Sequence, residues 1–137
     1  MRDVTVLEGP TARFAFRAEP SVIASLIPRT VQGVYLLLNG DRPIYVGRSD
    51  RCLRRRLMRH GLLLRATHLT WFPYNSAVDA FRFEAGLFHS LLHQPGVVNQ
   101  IHPAAPAGVP IRCPFCAAST RDALLRALNG TWQEQQK

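Results

Sequence analysis

Seven arginines lie within eighteen residues of this chain, and they are the first side chains whose type and spacing point to chemistry. A guanidinium group is planar and permanently charged, and its paired N–H donors match two oxygens of a phosphate. The whole chain has 17 basic and 9 acidic residues, a formal net charge of +8. This charge is typical of a protein that binds a polyanion, while a solvated basic surface is the simpler alternative. The basic cluster consists of Arg48, Arg51, Arg54, Arg55, Arg56, Arg59 and Arg65.

Two cysteines near the C-terminal end of the sequence have the spacing of metal ligands. Cys113 and Cys116 enclose a Pro-Phe pair, and such a C-x₂-C pair supplies half of a tetrahedral zinc site. His102 and a histidine of the preceding helix would complete the site, with His89 preferred and His93 as the alternative. A structural zinc would order the long irregular loop between that helix and the cysteines. Without a metal, the two residues would be ordinary loop cysteines or a redox pair.

Length and composition exclude several classes of protein. With 137 residues, of which 47% are hydrophobic and 19% charged, the chain suits one globular domain and not a disordered or fibrous protein. It has no apolar run of the ~20 residues that a membrane span needs, and its first residues lack the apolar core of a signal peptide. We therefore expect a cytoplasmic protein without a membrane partner. Three cysteines cannot pair completely, which argues against a secreted disulfide framework, and Cys52 is interpreted as a small apolar residue.

The hydrophobic pattern predicts a small α/β domain in which an antiparallel sheet of three or slightly more strands is flanked by helices. A hairpin is indicated by an apolar run over residues 33–38, by Asn39-Gly40 at its turn and by a second run over 43–47. The residues after Asn39-Gly40 suggest a turn slightly longer than two residues. A helix, a third strand and a longer helix are predicted over 53–60, 66–73 and about 76–93.

The segments on either side of this core complete the predicted organisation. Short strands are expected over 4–7 and 13–17, a short helix over 20–26, and a last helix over about 120–128. The sequence thus divides into an N-terminal extension packed on the domain, a core, and a zinc-stabilised loop with a C-terminal helix, at residues 1–30, 31–103 and 104–137.

The hairpin sequence resembles that of a known family. Gly33-Val34-Tyr35 and Tyr45-Val46-Gly47 are similar to the paired motif that names the GIY-YIG nucleases. Later positions match the family's order: an arginine before a leucine with a histidine four residues on, a glutamate in the next long helix, and an asparagine fifteen residues after it. These residues are Arg56, His60, Glu84 and Asn99, and the resemblance covers about residues 32–102. An extra residue before the first helix leaves Arg55 as the alternative to Arg56.

The resemblance implies a metal-dependent endonuclease that hydrolyses DNA phosphodiester bonds by a one-metal mechanism. Glu84 would be the ligand of a catalytic Mg²⁺ or Mn²⁺, hard cations that prefer oxygen ligands and keep several waters. Its position one helical turn from both Phe81 and Phe88 is unusual for a solvated carboxylate. The alternative is a glutamate at the edge of the apolar stripe that pairs with an arginine.

The other motif residues would act on the scissile phosphate and on the attacking water. Arg56 would bind two phosphate oxygens. Tyr35 and Tyr45 face each other in the hairpin, and one of them would act as, or orient, the general base with help from a nearby metal or arginine. His60 would orient Tyr45 or relay a proton, and Asn99 would hold the loop beside the site.

DNA is the expected partner, bound mainly through its backbone. Phosphate contacts outside the chemistry are expected from Arg48, Arg54, Arg55 and Arg59. A protein partner would supply specificity, because no segment outside the core is an obvious reader of base edges. Two other functions fit the same residues: a catalytically inactive nucleic-acid-binding module of the same fold, and a zinc-stabilised interaction domain.

Overall fold

The computed structural model describes residues 4–7, 13–92, 94–99 and 102–116, with residues 4–7 and 13 as backbone only. Five strands form one antiparallel sheet in the spatial order β1-β2-β5-β3-β4. The strands are β1 (Val4–Leu7), β2 (Arg13–Arg17), β3 (Gly33–Asn39), β4 (Arg42–Ser49) and β5 (His68–Pro73). The helices are α1 (Pro20–Leu26), α2 (Leu53–Met58) and α3 (Ala77–Leu91), with a 3₁₀ turn at Leu63–Arg65. The predicted α/β class, with an antiparallel sheet and flanking helices, is therefore confirmed.

The hairpin of β3 and β4 is the element on which the site is built. Asn39 pairs with Arg42, so its turn has two central residues and is shorter than the sequence suggested. The first of them, Gly40, has a φ of 65°, which glycine adopts without strain. The additional length lies inside the ladder, whose register shifts between Leu37 and Leu38. Pro43 pairs at this irregularity, where its missing N–H costs least.

Strand β3 is buried on both faces of the sheet, which explains its continuous apolar sequence. Tyr35 and Leu37 pack on one face with the buried side chains of α1 and α2, among them Ile23, Leu53 and Leu57. The intervening residues of β3 pack on the other face, with α3, in a cluster that includes Val34, Leu36, Leu38, Ala80 and Phe88. The two helices of the first face and the single helix of the second thus hold β3 at the centre of the core.

The N-terminal strands belong to the same sheet as the hairpin. Strand β2 pairs with β5 through Phe16 opposite Leu69 and Arg17 opposite His68. The ring of Phe16 also lies 5.4 Å from that of Trp71, centroid to centroid. The extension therefore continues the sheet from three strands to five.

The predicted helices differ from the observed ones mainly at their ends. Helix α2 ends at Met58 and α3 at Leu91, each about two residues earlier than predicted. The helix predicted over 120–128 and the alternative zinc ligand His93 lie outside the described residues. Within the described ranges, no helix is long and apolar enough to cross a membrane.

Candidate active site and metal centre

Helix α3 places Glu84 in the interior, next to β4. Glu84 is 8% exposed and is the only buried carboxylate among the side chains that the structure describes. Burial raises its pKa to about 7, and the Arg48 guanidinium, 2.8 Å away, offsets only part of that rise. A carboxylate in this environment gains most from a nearby cation, which stabilises its charged form.

Arg48 of β4 is the cation nearest to this carboxylate, and its side chain is only 10% exposed. Its Nη1 donates to Glu84 Oε1 at 2.8 Å, and its Nε and Nη2 donate to the two carboxylate oxygens of Asp50 at 2.7 and 3.2 Å. Nη2 also donates to the carbonyl of Ala104 at 2.8 Å. The guanidinium lies over the ring of Phe81, 5.4 Å from its centroid. Arg48 was predicted to contact a phosphate, and in the structure all of these guanidinium contacts are with the protein itself.

Tyr35 and Arg56 form a second charged and polar pair. The Tyr35 side chain is fully buried, and its Oη accepts a hydrogen bond from Arg56 Nε at 3.4 Å. Burial raises the pKa of Tyr35 above its ordinary value, so the phenol stays protonated at neutral pH, and the hydrogen bond raises the pKa of Arg56. Gly47 pairs with Tyr35 across the hairpin, and a Cβ at Gly47 would overlap the phenol ring. The absence of a side chain at Gly47 thus leaves the space that the Tyr35 ring occupies.

The rings of Tyr45 and His60 pack with the ring of Tyr35 in a cluster of three. The His60 ring meets Tyr45 edge-on with centroids 4.7 Å apart and Tyr35 with centroids 5.5 Å apart, and the two tyrosines stack at 6.2 Å. Burial, assisted by the charge of Arg56, lowers the pKa of His60. The His60 Nδ1 accepts from the Leu62 N–H at 3.1 Å, so in the neutral ring the proton is on Nε2. His60 is therefore a donor at neutral pH.

An open groove of about 500 Å³ runs beside this cluster. Its lining consists of Tyr45, Ser49, Arg51, Cys52, Arg55, Arg56, Arg59, His60 and Gly61. Four members of the basic cluster face this groove, whereas Arg54 does not line it and Arg48 contacts Glu84. The charge of Arg56 lowers the pKa of Glu84, and the charge of Glu84 raises that of Tyr35, so these groups are close enough to interact. The groove suits an extended polyanion.

Asn99 covers the outer edge of β4, which has no strand neighbour on that side among the described residues. Its Oδ1 accepts from the Val46 N–H and its Nδ2 donates to the Val46 carbonyl, both at 2.8 Å. The neighbouring Val98 N–H donates to the carbonyl of Ile44 at 2.8 Å. The amide thus takes the place of a paired strand and fastens this part of the loop to β4.

Four side chains converge where α3 meets the loop after Asn99. The ligand atoms of the His/Cys centre (His89, His102, Cys113 and Cys116) all lie within 4.8 Å of one another. The two histidine Nε2 atoms are 3.2 Å apart, and three nitrogen–sulfur separations are 3.3, 3.4 and 3.7 Å. Four ligands at tetrahedral zinc, with bonds of about 2.0 Å to nitrogen and 2.3 Å to sulfur, lie about 3.3 to 3.8 Å apart. The group could therefore hold a metal such as zinc.

The hydrogen bonds around this centre fit ligation. His102 Nδ1 lies 2.7 Å from the Pro103 carbonyl, which can only accept, so Nδ1 carries the proton and Nε2 presents its lone pair to the centre. The Phe115 N–H donates to Cys113 Sγ at 3.4 Å. Burial raises the pKa of the Cys113 thiol, so a thiolate there needs a cation beside it. The fold thus brings the four predicted ligands together in one cluster.

Comparison of the chain with protein-family models, with curated proteins and with solved structures finds no match. The proposals that follow therefore depend on the geometry of this chain and on the motif resemblance alone.

The structure brings the predicted site residues together in two neighbouring groups. In the first group, Tyr45, Arg56 and His60 line the groove and the buried Tyr35 contacts all three. The second group is Glu84 with Arg48, and Glu84 is close enough to Tyr35 and Arg56 to interact electrostatically. The sequence analysis missed Asp50 and the carbonyl of Ala104, which both fix Arg48. The position of an aspartate two residues after Arg48 was a signal for Asp50. No sequence signal marks a backbone carbonyl such as that of Ala104.

Proposed function

We propose that the chain is a metal-dependent endonuclease that hydrolyses DNA phosphodiester bonds. The observation that carries the proposal is a buried carboxylate, Glu84, together with a buried phenol, Tyr35, that bonds Arg56 in an open groove lined by four arginines. Hydrolysis of a phosphodiester needs charge stabilisation on the phosphoryl oxygens, a donor that holds them, and a group that manages the proton of the attacking water. Each need has a residue in this arrangement.

Glu84 would hold Mg²⁺ or Mn²⁺ as the single carboxylate ligand, with waters completing the shell. A bound cation of this kind would supply a Lewis acid for the phosphoryl oxygens and the leaving oxygen. Glu84 suits this role because its burial disfavours an uncompensated negative charge.

Arg56, whose Nε is held by Tyr35, keeps its outer guanidinium nitrogens for a phosphate in the groove. Tyr45 and His60 line the same groove, whereas Tyr35 is fully buried with a raised pKa. The proton of the attacking water would therefore be managed by Tyr45, oriented by the Nε2 proton of His60, and Tyr35 would position Arg56. The assignment of Arg56 over Arg55 has the same basis, since Arg56 is the arginine that reaches Tyr35.

The direct test is cleavage of supercoiled plasmid by the full chain with Mg²⁺, with Mn²⁺ and without divalent cation. We expect cation-dependent nicking that Glu84→Gln abolishes. Arg56→Ala should reduce turnover far more than Arg54→Ala, although each removes one positive charge, because only Arg56 contacts Tyr35 and the groove. A panel of plain, nicked, flapped and four-way substrates would then define which DNA structure is cut.

Three results would contradict the proposal or its assignments. Cleavage by Glu84→Gln at the parent rate removes the assigned cation site. A greater loss in Arg55→Ala than in Arg56→Ala assigns the catalytic role to Arg55. DNA binding without cleavage under every cation condition would favour the inactive binding module.

We infer further that the His/Cys centre holds one structural zinc. Four of the six separations between its ligand atoms, at 3.2 to 3.7 Å, are close to those of tetrahedral zinc, and the Pro103 carbonyl orients His102 as metal-site partners do. Two imidazoles and two thiolates leave no open position for a water, so this zinc would take no part in hydrolysis. Its role would be to fasten the loop to α3.

Elemental analysis of protein purified without chelator should give one zinc per chain. Cys113→Ser should lower the zinc content and the melting temperature together, because the free energy of metal binding contributes to folding. Cys52→Ser is the matched control, since this third cysteine lines the groove away from the centre and should keep its zinc. A zinc content far below one per chain, with Cys113→Ser as stable as the parent, would show that the cysteines are ordinary loop residues.

A further inference from the structure

Arg48 has more hydrogen bonds than a surface arginine needs, and they link two sites. Its guanidinium donates to Glu84 on α3, to both oxygens of Asp50, and to the carbonyl of Ala104. With its side chain 10% exposed, Arg48 is held from three separate parts of the chain. A guanidinium bound in this way has one orientation, and it imposes that orientation on the Glu84 carboxylate.

The Ala104 carbonyl lies close in the chain to a ligand of the His/Cys centre. Ala104 follows His102 by two residues, and Asn99 precedes His102 by three. Both flanks are bonded to β4, since Asn99 bonds Val46 and Ala104 bonds Arg48. The position of His102 therefore determines where the Ala104 carbonyl meets Arg48.

We propose that Arg48 is a positioning residue for Glu84 and that the His/Cys centre, through the Ala104 carbonyl and Arg48, sets the affinity of Glu84 for a divalent cation. The proposal rests on the proposed function in one respect, namely that Glu84 is the ligand of that cation. It adds two residues, Asp50 and Ala104, and a linkage between two metal sites.

The charges around Arg48 are arranged for this role. Arg48 donates to Glu84 Oε1, so the second carboxylate oxygen would be the ligand of an incoming cation. A lone guanidinium at 2.8 Å would also cancel the charge that attracts the cation. Asp50 compensates the positive charge of Arg48, and the three groups together keep a net charge of −1. Asp50 thus leaves Glu84 negative while Arg48 holds it in place.

The experiment measures Mn²⁺ binding to the full, zinc-loaded chain without DNA. Binding is followed by calorimetry and by the loss of the electron paramagnetic resonance signal of free Mn²⁺. Arg48→Lys keeps the charge but not the fork of donors, and Asp50→Asn removes the compensating charge. We expect each to weaken Mn²⁺ binding by roughly 10- to 100-fold, the usual effect of removing a hydrogen-bonding partner of a metal ligand. Arg29→Lys and Asp41→Asn, both exposed positions outside the site, should bind Mn²⁺ as the parent does.

The link to the His/Cys centre is tested on the unaltered sequence, because Cys113→Ser would also lower the stability of the fold. Binding linkage is reciprocal, so a cation at Glu84 must tighten zinc in the centre by the same factor as zinc tightens that cation. Saturating Mg²⁺ should therefore reduce the fraction of zinc that the parent protein transfers to a zinc-selective chelator at equilibrium. The same Mg²⁺ should leave the fraction transferred from Glu84→Gln unchanged.

The outcomes separate the two levels of inference. Equal Mn²⁺ affinity in Glu84→Gln and the parent would overturn the proposed function and, with it, this proposal. Binding that needs Glu84 but is unchanged in Arg48→Lys and Asp50→Asn, with zinc transfer insensitive to Mg²⁺, would overturn this proposal alone. Weakened Mn²⁺ binding in both variants together with Mg²⁺-dependent zinc retention would establish it.

Discussion

The side chain of Asn99 provides a test of the site's scaffold that does not depend on any activity. Its amide accepts from the Val46 N–H and donates to the Val46 carbonyl, both at 2.8 Å, on the open edge of β4. Val46 is 1% exposed, so solvent replaces these bonds poorly. Leaving a buried donor or acceptor unsatisfied costs about 1 to 3 kcal/mol for each group. Asn99→Ala should therefore lower the free energy of unfolding by about 3 kcal/mol, or roughly 10 °C in melting temperature.

Asn99→Asp distinguishes the paired amide from a general disturbance of the loop. A carboxylate can accept from the Val46 N–H but places an oxygen against the Val46 carbonyl, so at neutral pH it should be as destabilising as alanine. A protonated carboxyl can donate to that carbonyl, which raises the pKa of the new group in the folded state. Its contribution is then present at low pH and is lost as the pH rises through that pKa. The stability difference from the parent should shrink between pH 7.5 and pH 5.5.

Urea unfolding at the two pH values, with zinc content checked in parallel, measures both effects. Asn75→Ala and Asn75→Asp are the controls, because Asn75 is exposed and should stay within about 0.5 kcal/mol of the parent. A loss below 0.5 kcal/mol in Asn99→Ala, or a penalty in Asn99→Asp that does not change with pH, would refute the pairing of this amide with Val46.

Three further predictions follow from single contacts. Gly47→Ala should cost about 1 to 3 kcal/mol because its Cβ overlaps the Tyr35 ring, whereas Gly61→Ala, with open space around it, should be neutral in thermal unfolding. Because burial raises the folded-state pKa of Glu84 to about 7, a protonated Glu84 stabilises the fold at low pH, and this is lost as the pH rises through 7. Without added divalent cation, Glu84→Gln should therefore gain about 2 kcal/mol over the parent between pH 5.5 and pH 8, as read by urea unfolding, a gain that Asp41→Asn should not share. If the four groove arginines each contact a phosphate, the plot of log Kd for duplex DNA against log salt concentration should have a slope of about 4. Arg59→Ala should reduce that slope by about 0.9, whereas Arg29→Ala should leave it unchanged.

The sequence predicted the hairpin and the helices because their signals are local. The apolar run of β3 and the Asn39-Gly40 turn are contained in about fifteen residues, and helical spacing locates α2 and α3. The predicted turn length was wrong because the extra residue is Ile44, which is left without a partner inside the ladder, between Pro43 and Tyr45. That choice depends on how the strands pair, which a linear pattern does not contain.

Predictions about individual side chains depended on how many bonds each could make. The four zinc-site positions were identifiable because the ligand chemistry of cysteine and histidine is narrow. The role of Arg48 was not identifiable, since an arginine of the basic cluster looks like one more phosphate ligand. Its actual partners, Asp50, Glu84 and Ala104, come from three segments that only the fold brings together.

The position of β4 at the edge of the sheet explains why the loop after α3 needs its own metal centre. The outer edge of β4 lacks a sixth strand in the described structure, and Val98, Asn99 and Ala104 bond to Ile44, Val46 and the Arg48 side chain. Val98 and Asn99 thus satisfy backbone groups of Ile44 and Val46 that a paired strand would otherwise bond. Such a segment buries little apolar surface of its own, and its conformational entropy must be offset by other means. Four side chains from α3 and the loop, within 4.8 Å of one another, would provide that stabilisation when they bind a metal.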